Sequence, residues 1–232
     1  MKKPQFENNE IYHVLNRGVE KRKIFLDDKD RLRFIHDLYE FNDEAPAENI
    51  YYKSLGLESY EVEPRKITKK RKLLVEILAF CLMPNHYHLI VRQLNDGGIV
   101  KFMQKLGTGY TMSFNKKYKR IGPLFQGAFK SVLIDNSNYF LNLPYYIHLN
   151  PLDLKFPEWR ARKMSDHNKA IEYLNNYRWS SHLDYVGKKN FPSITNRKFL
   201  LGVFGGDGKY KQSIEKWLKH MGPENVKELM LE

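Results

Sequence analysis

The sequence predicts an α+β chain: a ferredoxin-like split βαββαβ antiparallel sheet with an added tyrosine-bearing helix and a C-terminal helical extension. Three features of roughly residues 8–151 predict it. Segments alternating in hydropathy and segments apolar at helical spacing follow one another as strand, helix, strand, strand, helix, strand. The two central strand candidates are joined by a Met83-Pro84-Asn85 turn. A further helix follows the last strand and must stop near Asn150, because Pro151 disfavours helical geometry in the residue before it.

Each element has a local reason. Ile11–Asn16 alternates and ends at Arg17-Gly18, so it reads as the first strand. Asp27 or Asp28 can cap a helix through Arg31, Phe34, Ile35, Leu38 and Tyr39. Leu73–Cys81 is apolar enough for a buried strand, and His86–Arg92 resumes as an alternating one. Gly97-Gly98 opens a helix along Val100, Met103, Leu106, Tyr110 and Phe114. Leu124–Ile134 reads as the fourth strand, and Asp135, Asn136 or Ser137 caps the helix after it. Residues 43–72 hold Pro46, Pro64, an acidic cluster and the basic run Lys66–Lys72, and read as a surface excursion. The chain thus divides into a unit at 1–151 and a helical extension at 152–232, expected to pack on it. Within the extension, residues 152–176 read as loop or short helices and Tyr177–Gly187 as a turn into a helix. Two more helices flank Gly205-Gly206-Asp207-Gly208, which lacks the spacing of a phosphate loop and is read as a turn.

The 232 residues carry 39 Lys+Arg against 27 Asp+Glu, a net charge of +12, with 42% hydrophobic and 14% aromatic side chains. That apolar content excludes disorder over most of the chain. No apolar run approaches the ~18 residues of a membrane-spanning helix, and the first residues lack the apolar segment of a secretory signal. A cytoplasmic protein with no membrane partner is expected. The single Cys81 cannot form an internal disulfide. The positive balance points toward polyanionic partners, whose neutralised phosphates release counterions.

His86 and His88 stand two apart on a predicted strand. Period two puts both imidazoles on one face, and Tyr87, Leu89 and Val91 on the other. Two converging imidazoles make half of a divalent-metal site; the plainer reading is a hydrogen-bonded or solvent-facing pair. Asn142, Tyr146 and Asn150 lie four apart on one helical stripe, beside the apolar stripe Leu141, Tyr145, Leu149 and Leu152. Tyr145 therefore belongs with the leucines and Tyr146 with two asparagines. If the histidine face lies opposite, a cation held by His86, His88 and the Asn150 amide oxygen would bind a phosphate oxygen. Tyr146, one turn earlier, would place its phenol for in-line attack. A phenol with an ordinary pKa of ~10 needs its negative charge stabilised as it attacks. The product, a phosphotyrosine diester, can be resealed onto another strand end.

Five segments in order resemble a known family. Met83-Pro84-Asn85-His86-Tyr87-His88-Leu89-Ile90-Val91, Gly122-Pro123-Leu124-Phe125-Gln126-Gly127, Phe129-Lys130-Ser131, Tyr146-Ile147-His148-Leu149-Asn150-Pro151 and Trp179-Ser180-Ser181 resemble the REP-associated tyrosine transposases. These are single-tyrosine HUH endonucleases related to insertion-sequence transposases. The resemblance runs from Tyr12-His13-Val14-Leu15-Asn16-Arg17-Gly18 to Tyr185-Val186-Gly187. It implies a catalytic domain at 1–151, with Mg²⁺ or Mn²⁺ at His86 and His88, completed by Asn150. It also implies Tyr146 as the nucleophile on single-stranded DNA beside a hairpin, in a monomer or homodimer, in a prokaryotic cytoplasm at the nucleoid. The implied activity is a metal-dependent single-stranded DNA endonuclease and strand transferase working through a 5′-phosphotyrosine. Two departures stand out: Ala128 where relatives show arginine, and Pro144, inside the helix, where they more often do.

Other residues complete the reading. Arg17, Lys21, Arg22 and Lys23 follow the first strand and could hold DNA phosphates; Arg120, Gln126 and Lys130 flank the fourth and could contact DNA. His148, between the polar and apolar stripes, is a candidate phosphate or base contact, while His13 reads as a core histidine. Two competitors stand beside the transferase. One is a domesticated nucleic-acid-binding protein that holds hairpins without cutting. The other is a phosphoesterase with paired His-x-Thr/Ser motifs, disfavoured because His86-Tyr87-His88 has no hydroxyl partner and no second copy.

Overall fold

The computed structural model describes residues 5–46, 71–161 and 163–220. Most of the expected excursion at 43–72 therefore lies outside the described residues. Among the described residues the strands and longer helices begin, in chain order, with β1 (Ile11–Arg17), α1 (Asp28–Glu40), β2 (Val75–Met83), β3 (His86–Gln93), α2 (Gly98–Lys117), β4 (Lys130–Leu133) and α3 (Ser137–Leu149). The sheet is antiparallel in the order β2-β3-β1-β4. Among the described residues four α-helices follow: α4 (His167–Asn176), α5 (His182–Tyr185), α6 (Arg197–Phe204) and α7 (Asp207–His220). The mixed α+β fold expected from the element order is the one observed.

Strand alternation sorts the core into two layers. Tyr12 and Val14 of β1, with Tyr87, Leu89 and Val91 of β3, face α1 and α2, where Phe34, Leu38, Phe102, Leu106 and Tyr110 are buried. Phe34 is fully buried, its ring centroid 5.3, 4.7 and 5.0 Å from those of Phe25, Tyr87 and Tyr110. Ile90, Leu78 and Cys81 face the opposite way, toward α3 and the C-terminal helices. Helix α1 starts at Asp27 because its carboxylate accepts from the Asp30 amide at 2.9 Å, while Asp30 reaches back to the Asp27 amide, a reciprocal cap. Asn136 caps α3 by accepting from the amides of Asn138 and Tyr139. Pro144 sits inside α3, which nevertheless continues to Leu149 before Asn150 begins a 3₁₀ turn.

One element is shorter than expected. The fourth strand pairs only over Lys130–Leu133, and the preceding Leu124–Phe129 forms a loop with a single bridge, Gly18 to Phe125. Gly122 and Gly127 explain it: their φ values of +91° and +147° lie outside strand geometry and interrupt the ladder.

The C-terminal helices close over α3 and the β2 edge. Tyr145 packs its ring on Phe204, Tyr210 and Trp217, and Trp217 donates its indole N–H to Asn142 at 2.8 Å. The segment at 179–181 adds to β2, where Leu82 donates to the Trp179 carbonyl and Ser181 to the Phe80 carbonyl. Among the described residues no helix is long and apolar enough to cross a membrane.

Candidate active site

The register of β1, β3 and β4 assembles one face of the sheet. Arg17 pairs with His86, and Leu15 with both His88 and Lys130, so these side chains share the face that looks toward α3. The His86 and His88 rings meet edge to face with centroids 5.0 Å apart, and the Tyr146 ring stands edge-on to His88 at 5.9 Å. Two imidazoles from the sheet and the phenol from the next helix therefore converge within one chain. Tyr87 between the histidines points into the other layer, fully buried, with no hydrogen-bond partner for its hydroxyl. Burial pushes that phenol far up, so it stays neutral. Tyr87→Phe is expected to leave stability unchanged or raise it by about 1 kcal/mol, since a desolvated hydroxyl is removed; urea unfolding checks this.

Tyr146 is itself fully buried. Its second neighbour is Arg160, on a 3₁₀ turn at Pro157–Ala161, whose guanidinium carbon lies 5.2 Å from the phenol ring centroid. Arg160 is tightly held: Nε donates to Asp153 at 2.8 Å, and Nη2 to Asp153 at 2.6 Å and to the Asn150 amide oxygen at 2.9 Å. Burial works against the Arg160 charge, but the Asp153 carboxylate and the neighbouring Tyr146 more than offset it. Asn150 in turn donates to the Tyr146 carbonyl at 3.1 Å. The amide oxygen expected to complete a metal site accepts one hydrogen bond from the guanidinium, which leaves its second lone pair, and Asn150 thereby also ties Arg160 to the end of α3.

The predicted DNA contacts divide. Arg17 donates to the exposed Gln126 at 2.7 Å, and Lys130 lies exposed on β4. Lys21 and Lys23 are exposed on the loop after β1, while Arg22 turns back to Glu20 at 3.3 Å. Arg120 sits after α2, bonded to Asn115 at 2.8 Å and stacked over Phe114. His148 corrects its expectation. It is fully buried, with Nδ1 bonded to Tyr210 at 2.6 Å and Nε2 to Ser181 at 2.7 Å, so it has neither surface nor free nitrogen to offer a phosphate. Burial holds its imidazole well below the ordinary range.

Sequence reasoning missed three participants. His13 is the buried, hydrogen-bonded core histidine expected, but its partners bring it into the site: its Nε2 lies 2.9 Å from His88 Nδ1 and its Nδ1 lies 3.3 Å from the Tyr139 hydroxyl. Asn85 bonds His86 Nδ1 at 2.7 Å. Arg160 comes from a stretch whose charge density concealed it. A signal existed for His13, which shares strand parity with Leu15 and Arg17 and so had to face the histidine pair once β1 lay beside β3.

Among the described residues no three His, Cys, Asp or Glu side chains converge as a metal site. The fit to a cation rests first on His86 and His88, each with Nδ1 engaged by a neighbour, the arrangement that orients imidazole ligands. Two such nitrogens suit a divalent ion completed by water and a substrate phosphate.

Residues 58–150 match the family model of IS200-like transposases. The chain is similar to these transposases over a span that includes His86, His88, Lys130, Tyr146 and Asn150. Among solved structures, a REP-associated tyrosine transposase bound to a REP hairpin aligns at a TM-score of 0.47 with 12% identity, over 84% of this chain and 93% of that one. No curated protein matches the chain.

Proposed function

We propose that this chain is a single-stranded DNA nickase and strand transferase that uses Tyr146 as its nucleophile and a divalent cation, Mg²⁺ or Mn²⁺, at His86 and His88. The similarity to IS200-like transposases supports the DNA-directed part of this reading. The observation that carries the chemistry is the placement of the Tyr146 ring 5.9 Å from His88, within one subunit.

In the reaction, the Tyr146 oxygen attacks the scissile phosphorus. The new bond joins the phenol oxygen to phosphorus as the bond to the 3′-oxygen breaks. The phenol proton leaves to water, and the departing 3′-oxygen takes up a proton, giving a 5′-phosphotyrosine and a free 3′-hydroxyl. A bound cation would supply polarisation of the phosphate oxygens. His86 and His88 would hold it, Arg17 and Lys130 on the same face would bind the flanking backbone, and Arg160 would keep Tyr146 aligned. Aromatic and cationic contacts suit single-stranded DNA at a hairpin. Because Tyr146 is fully buried, DNA reaches it only when covering side chains move.

That burial also favours a second reading, a hairpin-holding protein that does not cut. Labelled single-stranded DNA beside a hairpin, incubated with Mn²⁺, separates the two. The transferase gives a covalent adduct on a denaturing gel, abolished by chelator and by Tyr146→Phe. An adduct that survives Tyr146→Phe would remove that residue from the mechanism, and chelator-indifferent binding without cleavage under any metal would establish the holding protein.

A further inference from the structure

We propose that His13 and Asn85 are positioning residues that fix His88 and His86 in the tautomer whose Nε2 carries a lone pair for a divalent cation. The inference rests on the cation reading above and goes beyond it, because it concerns how the protein places protons on the two imidazoles.

The argument for Asn85 is one of donors and acceptors. Its Nδ2 lies 3.3 Å from the Lys21 carbonyl oxygen. A carbonyl can only accept, so the amide nitrogen must face Lys21 and the amide oxygen must face His86 Nδ1, 2.7 Å away. That oxygen can only accept as well. His86 Nδ1 is therefore the N–H, and in the neutral ring Nε2 keeps the lone pair. The Lys21 carbonyl is held in place at a conformational cost. Glu20 and Lys21 have φ of +55° and +58°, a region that side chains other than glycine seldom enter. The loop is tied to the histidine turn, since Gly18 donates to the Asn85 carbonyl at 2.8 Å and Ile24 to the Pro84 carbonyl at 2.8 Å. A Cβ on Gly18 would collide with the Arg22 carbonyl oxygen, so this close turn requires glycine.

His88 is set by a longer chain, Tyr139 to His13 to His88, with separations of 3.3 and 2.9 Å. Two proton arrangements satisfy it. In one, His88 Nδ1–H donates to His13 Nε2 and His13 Nδ1–H donates to the Tyr139 oxygen, leaving a lone pair on His88 Nε2. In the other every proton is reversed and His88 Nε2 carries hydrogen, which excludes a cation. A cation at His88 selects the first arrangement, with the Tyr139 oxygen as terminal acceptor. All three side chains lie on the α3 side of the sheet, where water cannot replace the missing partner: His13 and His88 are fully buried.

The test uses the full chain and Mn²⁺ alone, by calorimetric titration, with nitrogen NMR of the imidazoles as a readout independent of DNA cleavage. His13→Phe and Asn85→Leu are each expected to weaken Mn²⁺ binding about 10–100-fold, the scale for partners that orient metal-bound histidines. His13→Gln is expected to recover most of the loss, because its amide oxygen can accept from His88 Nδ1. NMR of the unsubstituted protein with Mg²⁺ should show both rings with hydrogen on Nδ1. Wild-type affinity in His13→Phe, alongside lost affinity in His88→Gln, overturns the positioning role and leaves the cation site standing. Wild-type affinity in both His86→Gln and His88→Gln removes the cation site itself and the proposal with it. Should His13→Phe fail to fold, hydrogen found on Nε2 of His86 or His88 in the Mg²⁺-loaded unsubstituted protein overturns the proposal on its own.

Discussion

Lowering the pH from 7 to 4 is expected to remove about 3 kcal/mol of folding stability through His182 alone. His182 is buried at 2% exposure, and desolvation, aided by the Lys188 charge, lowers its pKa to about 4. In the unfolded chain the imidazole titrates near the ordinary value of about 6.5. Between those two values the unfolded chain binds a proton that the native fold refuses. The contribution is therefore complete above about pH 6.5, shrinks as pH falls, and stops shrinking once the native imidazole protonates near pH 4. His148, held low by its burial and by the nearby His182, acts in the same direction. Urea unfolding of the wild type and His182→Gln, followed by tryptophan fluorescence at several pH values, isolates the effect. The stability difference between them should shift in favour of the variant as pH drops; a difference flat from pH 7 to 4 would refute it. A loss this large matters because small domains have only about 5–15 kcal/mol in total.

Arg160→Gln is expected to slow adduct formation about a hundredfold, the scale of an ångström-sized misplacement of a reacting group, while hairpin affinity stays within about twofold, since the Arg160 guanidinium is engaged by Asp153 and Asn150. The guanidinium touches the tyrosine by two routes, over the ring and through Asn150 onto the backbone carbonyl. Arg160→Lys keeps charge but not the planar fork that engages Asp153 and Asn150 together, so it should rescue little. Single-turnover cleavage alongside a binding titration reads the two quantities separately. Equal losses in rate and affinity would show that Arg160 binds DNA and does not align Tyr146.

The parts of this architecture governed by local periodicity were legible in the sequence. Strand parity placed His86 and His88 opposite Tyr87. Steps of four separated the two tyrosines only in part: Tyr145 packs on Tyr210 and Phe204, but Tyr146 is buried in the same cluster, and Leu141 of the apolar stripe is exposed. Asp27 and Asn136 were readable as caps because their chemistry acts within three residues. What escaped depends on contacts far apart along the chain. His148 looked accessible because nothing near it announces that Tyr210 and Ser181 will close over it. The Arg160 contact to Asn150 was not legible because it forms across ten residues, through a 3₁₀ turn that begins at Asn150. The fourth strand looked long because apolar density does not reveal where glycines of positive φ end a ladder.

The two margins of the sheet are treated differently. Along β2, Trp179, Ser181 and Asn196 occupy backbone groups that an incoming chain would need. Along β4 the rim is four residues long and begins with the exposed Lys130. A flat, unguarded border invites aggregation, and shortness with a lysine is a common safeguard against it. Stacking of misfolded copies through the β2 side would thus first require the 179–196 segment to peel away, so fibril formation should scale with the population in which that segment is open.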